Sequence, residues 1–481
     1  DDETLKEADV DVVKGDGGEK SLGVMRGASA LIALAQYRKQ VCSGQMPQET
    51  IGKKNIPLCS TAFKYMFHSC RIPRKDQDIY KMYDPFLYKH CIVAVKGQFF
   101  AMDFVDAENE DEPLSLESLE AGLMQCISLA KVQNEKYGLD LGVLTTDHRD
   151  EWTKNRERLL QIGGETMEKA LHKLESGAVV LCLDDDDPIT FRELANRYWH
   201  GYRESYMNRW YDKSINLMCQ SNGKLGFLGE HSAADGMPAV GLCKRIAETK
   251  YENLVKASMN GESTIATTNS ANVPAIESIF GEVMDSIVQN EKMMSHIEES
   301  RNRFRQLVKE QDMTVELFRN YGSNYIKDSG FSPDCLIQLA IQLATTRLFG
   351  KQVATYESTQ VRRYLHGRTE TTRSVSNASH EFVKRMGLHP EALDTDSGTE
   401  KIALLKKATW AHSKYLRAAS QGEGCDRHFF GLSMLLGENE TAPALFRDPV
   451  FQRSKHWRVS TSTLPVLPGF GCVVDDGVGI G

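Results

Sequence analysis

The chain has 481 residues, 41% of them apolar and 26% charged, with a formal net charge of -8. That length exceeds one ordinary hydrophobic core, so two large domains, or one with insertions, are expected. The acidic balance argues against a general nucleic-acid binder while leaving a local basic groove open, and no apolar run reaches the roughly 18 residues of a membrane helix.

Eleven cysteines are scattered along the chain without a CxxC pair. They read as reduced, intracellular thiols rather than a disulfide framework or a zinc site. Nothing near Asp1 resembles a signal peptide or a basic, acid-poor presequence.

Residues 1–20 are polar and Gly-containing and read as a ragged start, and 21–40 read as a helix. CIVAV, the Lys96-Gly97 turn and QFFAMDFV predict a β-hairpin. An acidic loop over 108–120 leads into a helix, and AVVLCL after Gly177 is a buried-strand candidate. The acidic run from Asp184 to Asp187 reads as a solvated turn capping a helix near Pro188. Residues 191–210 are rich in Arg, Tyr and Trp but lack the sustained basic charge of a base-stacking surface, so they read as a packed segment.

A strand over 225–228 is followed by a helix over 238–254, with Pro238 in its first turn. The Ser/Thr/Asn/Ala-rich stretch 261–275 is the linker and domain-boundary candidate. Residues 279–311 predict one long, charged, surface-facing helix. Ser332-Pro333-Asp334 suits a helix start, with Leu336, Leu339, Ala340 and Leu343 as its apolar stripe and Gly350 as its stop. From Val459 onward short strands alternate with Gly-rich turns. Helices and strands mix throughout, without regular βαβ units, repeats or a phosphate-binding glycine loop.

The stretch LGFLGEHSAADG, 225–236, ends a strand in one histidine among small residues. Histidine ordinarily titrates near neutrality, so His231 offers a general base, or else a hydrogen-bonded structural ring. Asp235 either supports that base or caps the following helix. No GxSxG elbow supports a serine hydrolase. TYESTQVRRYLHGRTETTRS, 355–374, is dense in hydroxyls and arginines. Arg362, Arg363, Arg368 and Arg373 suit a phosphate or carboxylate, or else surface salt bridges on a helix. In WRVSTST an extended Ser460-Thr461-Ser462 turns alternate hydroxyls to one side, as an oxyanion donor or as ordinary strand-edge polarity.

Taken together, GEHSAADG at 229–236, the 355–374 block, DRHFFGL at 426–432 and STS at 460–462 resemble the carnitine/choline acyltransferase family. HSCRIPRKDQD at 68–78, LGVLTTDHRDEW at 141–152, NRWYDKS at 208–214 and SPDCLIQLAIQLA at 332–344 match it as well, in family order. The resemblance runs from about residue 25 to the end. It implies an α/β, two-domain, chloramphenicol-acetyltransferase-like fold with mixed sheets flanked by helices. Residues 1–275 form the domain with the catalytic histidine, its start apparently truncated, and 276–481 the domain with coenzyme A and carnitine contacts. The resemblance also implies a tunnel between the domains that admits the two substrates from opposite sides.

The implied reaction is reversible transfer of a short acyl group, acetyl, between coenzyme A and L-carnitine. His231 is the implied base, Asp235 its acidic support and Ser462 the donor to the thioester oxygen. Tyr356, Thr369, Arg427 and Ser460 are the implied carnitine residues. Choline has no carboxylate, and the family's choline members depart at Tyr356, Thr369 and Arg427. Lys327, Asp334 and Ser358 are the implied coenzyme A residues. A second lysine expected four residues before Lys327 is Ser323 here.

The alternative is a medium- or long-chain carnitine acyltransferase. FLGEHSAADGMPAV is most similar to fungal-type acetyl-transferring members, whereas VVDDGVG at 473–479 has the look of palmitoyl-transferring tails, and the segment between Ser462 and Gly471 is short. A non-catalytic binding module is a third reading. The resemblance further implies acyl-CoA as cosubstrate with no tightly bound cofactor and no metal. It implies small-molecule partners, no nucleic acid, no integral span, peripheral membrane contact at most, a monomer, and a mitochondrial or peroxisomal setting.

Overall fold

A computed structural model gives the fold and describes residues 21–109, 111–201, 208–260, 273–389, 395–437, 440–463 and 474–481. The chain forms two compact units, Asp1–Pro47 with Ala62–Val315 and Gln48–Thr61 with Glu316–Gly481. Both mix helices with β-sheet, which is the expected α/β class.

The first unit opens with α1 (Leu22–Cys42), whose first turn is capped by the Ser21 hydroxyl accepting from the Val24 N–H. β1 (Ser69–Ile72) and β2 (Ile79–Met82) make a short antiparallel ribbon. β3 (His90–Val95) and β4 (Gln98–Asp103) form the expected hairpin. Lys96 and Gly97 both take positive φ, 49° and 76°, as a tight two-residue hairpin turn requires. Gly97 is also obligatory by space, because a Cβ there would lie 2.4 Å from the Asp140 Cβ.

Next come α2 (Leu116–Tyr137), α3 (Arg149–Ser176), β5 (Val180–Asp184), α4 (Phe191–His200), β6 (Ile215–Gln220) and β7 (Leu225–Gly229). α5 (Gly236–Glu248), α6 (Tyr251–Asn260), β8 (Ile276–Ser278), α7 (Met284–Val288) and α8 (Glu291–Lys309) complete the unit. Six strands form one mixed sheet in the order β7-β6-β5-β3-β4-β8. β5 runs parallel to both β6 and β3, and the other pairs are antiparallel. Apolar side chains of β3 and β5 go alternately to two clusters. Val93 and Leu181 join α1 and α2 residues such as Leu31, Leu34 and Leu119. Ile92 and Val180 join α3 residues such as Trp152 and Leu171. A strand covered on both faces needs apolar residues at every position, which explains the unbroken AVVLCL run.

Several expectations need correction. The acidic run at 184–187 is only half solvated, with Asp185 and Asp187 exposed. Asp184 is fully buried against Arg209 at 2.7 Å, and Asp186 pairs with Arg197 at 2.6 Å. The cap of α4 is Thr190, in a reciprocal box with Glu193. Those pairs also spend the basic charge of 191–210, so the packed reading of its described part holds; 202–207 lie outside the described residues, as do 1–20. The helix expected over 238–254 begins earlier and breaks into α5 and α6, with Thr249 and Lys250 between them. The single helix expected over 279–311 breaks at Asn290, whose side chain leaves the helical path to accept from the Met293 N–H.

Most of the linker candidate, 261–272, lies outside the described residues. Beyond it the chain does not leave the first unit. β8 pairs with β4 and α8 follows, so the compact units divide at Val315 and Glu316 rather than at residue 275.

The second unit contains α9 (Ser323–Asp328), α10 (Pro333–Phe349), β9 (Thr355–Gln360), β10 (Thr369–Arg373), α11 (Asn377–Met386) and α12 (Thr395–Ser420). α13 (Asp426–Met434), β11 (Val459–Thr461) and β12 (Val478–Ile480) follow. The sheet order is β10-β9-β11-β12, antiparallel for β9–β10 and parallel for the other two pairs. The arginine-rich block is therefore a hairpin rather than a helix.

Residues 48–61 belong to this unit partly because Arg362 Nε donates to the Cys59 carbonyl at 2.9 Å. Gly350 ends α10 in the left-handed region, as expected. The expected apolar stripe holds only in part: Leu339 is buried and Leu343 packs on the same cluster, but Leu336 is half-buried and Ala340 exposed. α10 buries Cys335, Gln338, Leu339, Gln342, Thr345 and Thr346, a mostly polar face. Those glutamines cover a sheet of hydroxyls: Gln338 Nε2 donates to Thr461 Oγ1 at 2.9 Å and Gln342 Nε2 to the Ser374 carbonyl at 2.8 Å.

Candidate active site

In the first unit the site is built at the end of β7. The β6–β7 pairing carries one residue past Gly229, where the Glu230 N–H donates to the Ser214 carbonyl. The Glu230 carboxylate turns inward, 6% exposed, to Arg71 Nη1 at 3.2 Å. It also accepts from the Ser232 N–H at 3.1 Å and from the Ser232 hydroxyl at 2.6 Å. With both flanking residues tied to one carboxylate, His231 projects outward and its side chain is 66% exposed. Asp235 stands at the N-cap of α5, yet its carboxylate makes no cap hydrogen bond. It lies 3.8 Å from His231 Nδ1, beyond hydrogen-bond length. Both roles left open for Asp235 keep a footing, since it occupies the N-cap position and neighbours the ring.

Beneath the loop lies an ionic platform that residue-by-residue reading missed. Asp212 is almost wholly buried. It accepts from Arg149 Nη1 at 2.7 Å and Nη2 at 3.3 Å, and from Trp152 Nε1 at 2.7 Å. Arg149 Nε also reaches Asp78 at 2.6 Å, and Arg71 bridges Asp78, Asp212 and Glu230. Burial pushes the Asp212 carboxyl up from its ordinary range, and the Arg149 charge pulls the other way. Next to it Lys213 is fully buried, its ammonium donating to the Glu175 carbonyl at 2.8 Å and the Gly177 carbonyl at 2.5 Å. Burial pulls Lys213 down to about 8. A signal for this platform was present. RIPRKDQD, HRDEW and NRWYDKS supply Arg71, Asp78, Arg149, Trp152, Asp212 and Lys213, and the fold brings those three motifs together.

In the second unit most of the expected substrate residues share one face of a sheet. The β9–β10 register sets Tyr356 opposite Arg373, Ser358 opposite Thr371 and Gln360 opposite Thr369. Ser460 of β11 lies beside Tyr356 in parallel register. Directly paired residues point the same way, so these hydroxyls line one side. Ser462 continues past β11, and its Oγ accepts from Ser358 Oγ at 3.1 Å. Arg427, at the start of α13, joins the same region. Its Nε donates to the Thr369 carbonyl at 2.9 Å, and its backbone N–H to Glu370 at 3.3 Å. Among the described residues its two Nη groups have no hydrogen-bond or carboxylate partner.

The expected coenzyme A residues do not gather in one place. Ser358 belongs with Ser462 and Tyr356. Asp334 lies in the first turn of α10, over the opposite face of the sheet, close to Glu357 and His412. Burial pushes its carboxyl up, and the Glu357 charge adds to that. Lys327 is exposed near the end of α9, which Ser323 opens. Asp334, Cys335 and His412 hold potential metal-ligand atoms within 4.8 Å of one another. His412 Nε2, however, already faces Glu357 at 3.0 Å, and burial pushes the Cys335 thiol up, which keeps it protonated. We assign no metal to this group.

No helix among the described residues is long and apolar enough to cross a membrane. The cysteines described are all unpaired thiols. The short segment between Ser462 and Gly471 lies, apart from Thr463, outside the described residues.

The chain as a whole also matches known proteins. The family model for choline/carnitine O-acyltransferases matches residues 5–481. A mitochondrial carnitine O-acetyltransferase of Saccharomyces cerevisiae is 33% identical, covering 94% of this chain and 66% of its own length. A carnitine O-acetyltransferase of Columba livia is 32% identical, over 95% of this chain and 71% of its own. A mitochondrial carnitine O-palmitoyltransferase 2 of Bos taurus is 31% identical, over 88% of this chain and 61% of its own. The chain thus spans about two thirds of the length of these relatives. With a reachable histidine beside an acidic residue, a hydroxyl-lined sheet face bordered by an arginine, and a family match over nearly the whole sequence, the chain belongs to the choline/carnitine O-acyltransferase family.

Proposed function

We propose that this chain transfers an acetyl group reversibly between coenzyme A and L-carnitine, with His231 as general base. The observation that carries the substrate choice is Arg427. A guanidinium whose Nη groups are unclaimed among the described residues, held by its Nε against Thr369, suits a substrate carboxylate. Carnitine has that carboxylate and choline lacks it. Tyr356, Thr369 and Ser460 supply hydroxyls around it. The Ser358–Ser462 hydrogen bond supports moving Ser358 from the coenzyme A residues to this group. Lys327 and Asp334 remain the proposed coenzyme A residues, with acyl-CoA a cosubstrate rather than a resident cofactor. In this reading the first unit supplies the base and the second the substrate contacts.

Neutral His231 takes the proton of the carnitine hydroxyl as that oxygen attacks the thioester carbon. Asp235, 3.8 Å from the ring, is its acidic neighbour. The carbonyl oxygen gains negative charge, and Ser462 donates a hydrogen bond to it. The C–S bond then breaks, and the imidazolium returns the proton to the departing thiolate. The reverse reaction starts with His231 taking the thiol proton of coenzyme A. No acyl-enzyme is required.

The acetyl preference draws support from the relatives named as acetyltransferases, and the palmitoyl relative keeps longer chains as the competing outcome. The yeast relative is named mitochondrial, which supports a mitochondrial setting here. The test is transfer from acetyl-, octanoyl- and palmitoyl-CoA to carnitine and to choline. The reading requires acetyl and carnitine to give the highest kcat/KM. A palmitoyl preference overturns the chain length, and a choline preference overturns the acceptor.

A further inference from the structure

Arg373 falls on the substrate face of the second unit's sheet, directly across from Tyr356, yet its charge faces protein rather than an open site. Its Nε and Nη2 form a two-pronged fork on Asp426, at 2.9 and 2.6 Å. Nη1 donates to the Ser454 carbonyl at 3.0 Å. The guanidinium carbon lies over the Trp457 ring, 4.8 Å from its centre, and Trp457 in turn meets the Tyr356 ring edge-on at 5.7 Å. Asp426 is the first residue of α13, so the residue after it is Arg427. One guanidinium therefore joins the strand carrying Thr369, the helix carrying Arg427 and the segment 454–457 that braces Tyr356.

Resting on the carnitine reading above, we propose that Arg373 is a positioning residue for recognition of the substrate carboxylate. It acts through Asp426 on Arg427 and through Trp457 on Tyr356. Both prongs of the fork are needed to fix the start of α13 in angle as well as distance. A lysine keeps the charge but provides neither the fork nor the planar stack. Space for displacement exists, because a cavity of about 220 Å³ lies beside the Arg373–Asp426 pair, walled by Phe429 and Phe451. Without the fork α13 can settle toward that cavity and carry Arg427 off the Thr369 carbonyl.

The test is a double-mutant cycle of Arg373→Lys and Arg427→Gln, read from steady-state KM for carnitine, KM for acetyl-CoA and kcat. Arg373→Lys is expected to raise the carnitine KM roughly 10-fold, the equivalent of one lost charge-assisted hydrogen bond, with the acetyl-CoA KM unchanged. Arg427→Gln raises the carnitine KM at least as much. Adding Arg373→Lys to Arg427→Gln should give little further rise, because the first residue acts through the second. Should Arg373→Lys fail to fold, Asp426→Asn probes the same fork from its other side.

An unchanged carnitine KM, a parallel rise in the acetyl-CoA KM, or multiplicative effects in the cycle overturn the proposal. A parent protein that binds carnitine without transferring an acyl group sinks the transfer reading alone, since the cycle is then read from carnitine Kd. A parent that does not bind carnitine overturns both.

Discussion

Arg149→Met tests how much the buried ionic platform beneath the His231 loop contributes to stability. The substitution keeps most of the side-chain volume and removes the cation that Asp212 faces at 2.7 Å. Asp212 is 1% exposed, so the carboxylate left behind cannot turn to water. Breaking a buried pair from one side costs about 3–5 kcal/mol. The lower end applies here, because Arg71 remains 3.6 Å from Asp212 and the Trp152 indole N–H still donates to it. At about 2 °C per kcal/mol for a large domain, a loss of about 3 kcal/mol lowers Tm by about 6 °C.

The effect has a defined pH dependence. Burial already raises the native Asp212 pKa above its unfolded value, and losing Arg149 raises it further. For an acid with a raised native pKa, stability is present below the unfolded value and is lost as pH rises through the native one. The variant, with the higher native value, loses more. The gap from the parent is therefore larger at neutral pH and narrows as the solution is acidified toward the carboxylate range. Calorimetric or fluorescence melts of parent and variant at pH 7.5 and pH 5 measure it. A Tm within 1 °C of the parent at pH 7.5, or a gap that widens on acidification, refutes the reasoning.

Ser462→Ala removes the proposed oxyanion donor and should lower kcat roughly 10²–10³-fold, with KM values little changed. A loss confined to KM would make Ser462 a binding residue only. Lys213 carries a separate pH signature, because burial holds its native pKa at about 8, below its ordinary value. Its stability contribution is present above the unfolded pKa and is lost as pH falls through 8. The Tm of the parent relative to Lys213→Met should therefore rise between pH 8 and pH 10, and a flat difference contradicts the assignment.

Local signals placed much of this molecule. The β3–β4 hairpin was readable because Lys96-Gly97 can supply two left-handed residues between apolar runs. The end of β7 was readable because an apolar run stops at small residues around one histidine. Three kinds of feature were hidden. The buried ion pairs of Asp184 and Asp186 depend on Arg209 and Arg197, partners that no local pattern assigns. The polar buried face of α10 depends on what it covers, a sheet rich in Thr and Ser rather than a greasy one. The division of the units depends on β8 pairing with β4, a long-range register that follows the stretch chosen as a linker for its composition.

At the candidate site, the family resemblance named the residues, while pleat and register showed which of them share a face. That is how Ser358 came to join Ser462, and how Asp334 was separated from them.

The most direct measurement is acetyl transfer from acetyl-CoA by the parent protein and by His231→Ala, with carnitine and choline offered separately. The account predicts turnover with carnitine far above that with choline. It also predicts a loss of about 10²–10⁴-fold or more in kcat for His231→Ala, with carnitine Kd essentially unchanged. Turnover that survives the loss of the imidazole, or a parent that prefers choline, contradicts it.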